Sequence, residues 1–189
     1  MKSLLLIIAL LSYNTVMYGN ILGSNEIISF DHELNDKNMQ QNNVNGVDMY
    51  ISSFDIRQGD TLKVGVKLDI PVSMGQLTAF QFDLYLPHGI KILKNSDGED
   101  IIELSKMSDS QKHILSCSKQ KNGTIRFLCY SLSNKVFDGN KGDIMFITLC
   151  ADSNLTKSDY KGYMKNILLV KPDTKTFTPV DKAFVIKCK

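Results

Sequence analysis

The chain has 189 residues, 43% of them hydrophobic and 22% charged, which suits one ordinary globular domain with extra termini and excludes wholesale disorder. A formal net charge of +2, without a Lys/Arg cluster, argues against a nucleic-acid surface.

The N-terminus sets the expected compartment. Lys2 precedes an unbroken apolar run over residues 4–11, then polar Asn14 and Thr15 and small Gly19. This is the order of a secretory signal peptide over residues 1–19, with Gly23 as the alternative cleavage point. The run is far shorter than the ~20 residues that cross hydrocarbon, so no membrane span is expected after cleavage. No cysteine lies nearby for lipid attachment, so the expected location is secreted, cell-surface or periplasmic. Residues 20–46 include a stretch, 31–45, rich in Asn, Gln and Asp, which buries too little apolar surface to offset its ordering entropy. A flexible N-terminal segment is expected there, and a folded domain over 47–189.

Within the domain the strands follow in order. Met49, Ile51 and Phe54 begin a first strand ending by Ile56, and Gln58-Gly59-Asp60 turns the chain. Leu62, Val64, Val66 and Leu68 then alternate with polar residues or glycine, the period of a half-buried strand. Pro71 ends it. Over residues 78–86, Phe80, Phe82, Leu84 and Leu86 alternate with Gln81, Asp83 and Tyr85, and Pro87-His88-Gly89 closes the stretch. One face of this strand needs a second sheet to cover it. Ile90 and Ile92 continue as a short strand, Asp97-Gly98 marks a turn, and residues 101–104 suit another strand. Residues 106–112 fit a helical turn or a loop equally. Asn122-Gly123 is a strong hairpin signal between arms at 113–118 and 124–132. Residues 143–151 are almost continuously apolar, as for a central strand covered on both faces. Strands at 163–170 and 183–188 complete the chain. Short strands with turn signals every ten or so residues predict an all-β sandwich or barrel.

Chemistry-bearing motifs are sparse. His32, His88 and His113 fall in the linker, a turn and a strand start, where surface positions are expected. No nucleophile elbow, zinc-protease helix, phosphate loop or dinucleotide fingerprint occurs, so no catalytic residue and no cofactor is assigned. Nothing selects a carboxylate pair for hydrolysis, though a fold can bring any two acids together. Asp97, Glu99 and Asp100 are expected to form a solvated turn, not a calcium site. Asn122-Gly-Thr124 and Asn154-Leu-Thr156 match the glycosylation acceptor, which matters only in a eukaryotic secretory host. Of the four cysteines, Cys117 and Cys129 flank the hairpin turn nearly symmetrically. Two readings stay open for them, a disulfide across the hairpin or two buried free thiols. There is no Trp for stacking sugar rings; Tyr85 and Tyr130 would share a surface if their strands are neighbours.

Gly59-Asp60-Thr61-Leu62-Lys63-Val64, the 78–86 strand running into Pro87, Ile90–Ile92, residues 124–130, the glycine loop through Gly142 and the apolar run 144–149 together resemble a cohesin domain, the β-sandwich receptor module of cellulosome scaffolds. The Phe-Gln-Phe-Asp-Leu-Tyr-Leu-Pro-x-Gly form resembles cohesin-like proteins secreted by Bacteroidetes. The resemblance covers roughly residues 47–189. It departs from the family at Leu86, where the family has Asp, and in residues 95–112. It implies a cohesin-like β-sandwich of two antiparallel sheets, jelly-roll-like, and a secreted, non-catalytic binding module with a protein partner. A carbohydrate-binding module is the alternative, and a hydrolase with an unrecognised acid pair the third. Under this reading Gln81, Asp83 and Tyr85, joined by Tyr130, form the candidate contact surface.

Overall fold

The computed structural model describes residues 46–108 and 112–189. The expectations for residues 1–45, including the signal peptide, most of the flexible segment and His32, lie outside the described residues. Twelve strands are assigned: β1 (Asp48–Ile51), β2 (Phe54–Ile56), β3 (Thr61–Asp69), β4 (Ala79–Tyr85), β5 (Ile90–Ile92), β6 (Ile102–Leu104), β7 (Ile114–Lys119), β8 (Ile125–Tyr130), β9 (Lys141–Ala151), β10 (Asp159–Val170), β11 (Thr176–Phe177) and β12 (Lys182–Cys188). They form two sheets. The smaller runs β1-β3-β9-β5, with β6 also paired to β9; the larger runs β2-β12-β10-β4-β8-β7, with β11 paired to β10. All pairings are antiparallel except β2 with β12. This is the expected all-β sandwich.

The core is built from the alternating strands as anticipated. Phe80, Phe82 and Leu84 of β4 and Val64, Val66 and Leu68 of β3 all lie buried between the sheets. Phe82 stacks on Phe127 of β8 at 4.8 Å, and Phe80 meets Phe137 at 5.9 Å. Gly162 of β10 belongs to this layer. A Cβ there would overlap the Phe184 ring of β12, so only glycine lets that ring lie flat against the backbone. At the corner after β4, Gly89 adopts φ 85°, a conformation that glycine takes without strain.

Two strand assignments differ from expectation. The first strand is two, β1 and β2, broken at Ser52 and Ser53, because the chain crosses from the smaller sheet to the larger. Ile51 and Ile56 are both buried yet lie five residues apart. One continuous strand would aim them at opposite faces; changing sheets turns both inward. In the second case, β9 is central in its sheet but covered on one face only. Ile144 and Met145 are consecutive buried residues beside a register shift opposite Val66 and Lys67. The bulge turns both Ile144 and Met145 inward, and Phe146 and Cys150 on the outer face complete a run that reads as continuously apolar. Beyond it Ile147, Leu149 and Ala151 point inward, while Phe146, Thr148 and Cys150 are half-buried on the outer face.

Candidate binding face

The outer face of the larger sheet is centred on β4, which lies between β10 and β8. Alternation places Gln81, Asp83 and Tyr85 on that face, opposite the buried phenylalanines. Their exposure departs from the expected open polar surface: Gln81 is 3% and Asp83 2% exposed, while Tyr85 is 43% exposed. The cross-strand register supplies the reason. Gln81 sits between Leu168 of β10 and Leu128 of β8, and Asp83 between Lys165 and Arg126. Directly opposed side chains on one sheet face lie within contact distance: two leucines flank Gln81, and the longer Lys165 and Arg126 side chains flank the short Asp83.

Asp83 is the hub of a network. Arg126 Nε donates to Oδ1 at 2.7 Å and Nη2 to Oδ2 at 2.8 Å, a bidentate pair, and Asn166 Nδ2 donates to Oδ2 at 2.8 Å. The hydrogen bond to Asp83 holds the Arg126 guanidinium above its ordinary range. Asn166 reaches in because β10 is irregular between Lys165 and Leu168. Its φ is 51°, a left-handed conformation that asparagine tolerates, and its backbone N–H donates to Asp181 Oδ1 at 3.0 Å. Arg126 Nη1 is buried without a partner among the described residues.

Tyr85 and Tyr163 are direct cross-strand partners with ring centroids 5.9 Å apart and planes tilted by 51°, and Lys165 Nζ lies 5.5 Å from the Tyr163 ring centre. Tyr130 is elsewhere. Phe80 pairs with Cys129 and Leu84 with Ile125, so Tyr130 and Tyr85 lie at opposite ends of the β4–β8 ladder, about 20 Å apart at ~3.3 Å per residue. The two tyrosines expected to cluster do not form one platform. Tyr130 instead pairs across the hairpin with Ile114, itself 41% exposed, and Leu128 follows on the same face opposite Ser116. The face thus has an aromatic and hydrogen-bonded end at Tyr85 and an apolar end at Ile114.

Sequence reasoning missed Arg126 and Asn166 and did not set Tyr163, one of the candidate tyrosines, beside Tyr85, since membership in this face depends on which strands become neighbours. Asn166 alone left a trace, as a polar interruption within the apolar stretch 163–170.

The other candidates are dispersed. His88 is exposed in its turn. His113, expected at the surface, is 4% exposed, because its ring packs 4.5 Å from Phe137 beneath the loop that follows β8. His113 Nε2 lies 3.1 Å from the Lys135 carbonyl, to which it can donate, and Nδ1 is buried without a partner among the described residues. Around the acidic turn, Asp100 is held by Lys94 at 3.0 Å and receives the Cys117 thiol at 3.3 Å, while Glu99 accepts from the Asn95 amide. Among the described residues, no group of three or more His, Cys, Asp or Glu is placed to hold a metal ion.

The cysteines resolve toward free thiols. Cys117 opposes Phe127 and Cys129 opposes Leu115, so the two are offset diagonally across the hairpin, and all four cysteines are unpaired. Burial, reinforced by the bond to Asp100, pushes the Cys117 thiol up to about 12; burial alone drives Cys129 upward as well. Among the described residues no helix is long and apolar enough to cross a membrane.

No protein-family model and no curated protein matches the chain. Solved structures do. A chain of a type I cohesin–dockerin complex from Clostridium thermocellum aligns with a TM-score of 0.62 at 13% identity, over 77% of this chain and 100% of that one. The cohesin module of a family 33 glycoside hydrolase from Clostridium perfringens aligns at 0.60 and 12%, over 76% and 97%. A non-cellulosomal cohesin from the archaeon Archaeoglobus fulgidus aligns at 0.52 and 14%, over 75% and 91%. At such identities the likeness speaks to architecture, and the architecture is shared along nearly the whole length of these modules: the chain folds as a cohesin-like β-sandwich.

Proposed function

We propose that this chain is an exported, non-catalytic binding module that docks a partner protein on the outer face of its larger sheet. In this reading residues 1–19 are removed as a signal peptide, and residues 20–46 form a flexible lead to the cohesin-like domain of residues 47–189. The domain then works at the cell surface or in an extracellular assembly. Tyr85 is the central contact, with Tyr163 beside it and Ile114 and Tyr130 at the apolar end; Gln81 and Asp83 form the floor beneath.

The single observation that carries this reading is the Asp83–Arg126–Asn166 network next to the Tyr85–Tyr163 pair. The Asp83 carboxylate under the face is already hydrogen-bonded on both oxygens and desolvated, so the exposed aromatic surface needs little reorganisation when a partner covers it. The cohesin–dockerin pairing named for the Clostridium thermocellum complex supports a protein as the partner class.

The test is capture from the medium and cell envelope of the source organism with wild type, Tyr85→Ala, Tyr163→Ala and Lys141→Ala on the other sheet. Wild type and Lys141→Ala should recover the same protein, and Tyr85→Ala should reduce recovery roughly tenfold or more. Equal recovery by all four would remove the face from the reading. N-terminal sequencing of the exported protein should begin after Gly19 or Gly23.

A further inference from the structure

Five large hydrophobic side chains are exposed among the described residues, and the two most exposed, Val72 at 85% and Leu132 at 61%, sit on loops at one pole of the sandwich. Val72 opens the short 3-10 turn Val72–Met74 after β3, and Leu132 follows β8. Hydrogen bonds stitch these loops together. Asn140 Nδ2 donates to the Gly75 carbonyl at 3.4 Å, Gln76 Nε2 to the Phe137 carbonyl at 3.3 Å, and Thr78 Oγ1 to the Lys135 carbonyl at 2.5 Å. Asn134 Nδ2 donates to the Pro172 carbonyl at 3.1 Å, tying in the turn after β10. Gly46, where the described domain begins, packs against Pro71 at the same pole.

Lysines frame the two aliphatic tips. Lys135 is exposed, Lys171 is half-buried with Nζ 6.0 Å from the Phe177 ring, and Lys175 and Lys141 pair with Asp173 and Asp69. Asp138 on the Leu132 loop lies 4.0 Å from Lys112, and Lys135 and Lys171 form no ion pair among the described residues, so the rim keeps a surplus of positive charge. Single exposed aliphatics are ordinary on any surface. Two exposed ones on tethered loops of one pole, with Lys135 and Lys171 on loops of the same pole, have the composition that seats a protein at a bilayer interface, with apolar tips below the headgroups and cations among them.

From this we propose that the pole carrying Val72 and Leu132 docks shallowly on an anionic lipid surface. The pole lies at the strand ends, so the Tyr85–Tyr163 end of the larger sheet's outer face, at the far end of the β4–β8 ladder, would stay open to solvent. The proposal does not depend on what that face binds.

The chain has no tryptophan, so a single introduced one reports on its own site. The full chain would be prepared as Val72→Trp, Leu132→Trp and, at the opposite pole in the β7–β8 turn, Lys121→Trp. Each would be mixed with vesicles of equal parts phosphatidylglycerol and phosphatidylcholine, or of phosphatidylcholine alone. The expected result is a blue-shifted emission, quenched by brominated acyl chains, for the Val72→Trp and Leu132→Trp variants only and on the mixed vesicles only, without a shift for Lys121→Trp. Adding Lys135→Glu with Lys171→Glu should weaken binding at least tenfold, at roughly a few-fold to tenfold per charge. Water-like emission from both pole variants on the mixed vesicles would overturn the proposal. So would equal shifts for all three variants, or binding indifferent to lipid charge. Attachment through the apolar run at residues 4–11 would leave the pole variants unshifted and counts against it.

Discussion

At their centres the outer faces of the two sheets treat charge in opposite ways. On the smaller sheet, ion pairs stand in water: Lys63 with Glu103, Lys91 with Asp152 at 2.8 Å and Lys141 with Asp69 at 2.5 Å, the lysine side chains 52–75% exposed. On the larger sheet the pair at the centre, Arg126 with Asp83, is largely removed from water and completed by Asn166. Exposed pairs contribute little, because solvent screens them and two long side chains must be ordered. They keep a surface hydrated. A buried bidentate pair holds its neighbours in one geometry and leaves the aromatic side chains above it as the accessible surface. The same fold thus carries a solubilising face and a face suited to contact, and the distinction rests on cross-strand neighbours, not on composition.

The sharpest way to break this contrast is Arg126→Ala. It strands the Asp83 carboxylate in a site with almost no exposure and should cost about 3–5 kcal/mol in denaturant unfolding, whereas the double replacement Asp83→Leu with Arg126→Met should restore most of the loss. Gly162→Ala acts on the inner face of the same sheet; its methyl meets the Phe184 ring, and about 1–3 kcal/mol of destabilisation is expected in the same measurement. Tyr85→Ala should change stability by less than about 1 kcal/mol while removing the proposed partner contact, which separates contact from fold. Lys91→Ala and Lys141→Ala on the smaller sheet should leave the unfolding midpoint where it is. A clear shift from either would mean that the two faces do not differ as described.

Thiol chemistry separates a cysteine on the outer face of the smaller sheet from one turned toward the core. Cys150, on the outer face of the smaller sheet with Sγ toward the Lys91 carbonyl, should alkylate first. Cys117 should resist, since with a pKa of about 12 only roughly one part in ten thousand is thiolate at pH 8. The raised pKa also ties stability to pH. The folded thiol stays protonated while the unfolded one ionises near 9, so this group's contribution is complete below pH 9 and declines as pH rises toward 12. Peptide mapping after timed alkylation reads the order directly.

Much of the molecule was legible in its residues. The period-two runs at Leu62–Leu68 and Phe80–Leu84 set both the strands and their buried faces, because alternation follows from backbone geometry alone. The turns at Gln58-Gly59-Asp60, Pro87-His88-Gly89 and Asn122-Gly123 were local chemistry and were equally visible. Their combination sufficed for an all-β sandwich or barrel, and the resemblance to cohesins narrowed that to a cohesin-like sandwich. The tertiary structure decided what depends on partners distant in sequence. Ile51 and Ile56 required a change of sheet. A bulge disguised the one-sided strand β9. Register offset Cys117 from Cys129 and separated Tyr130 from Tyr85. Above all, alternation made Gln81 and Asp83 outward-facing, and only the neighbours Leu128, Leu168, Arg126 and Asn166 made them buried. Direction along a strand is a local property; exposure is set by the side chains that register places alongside.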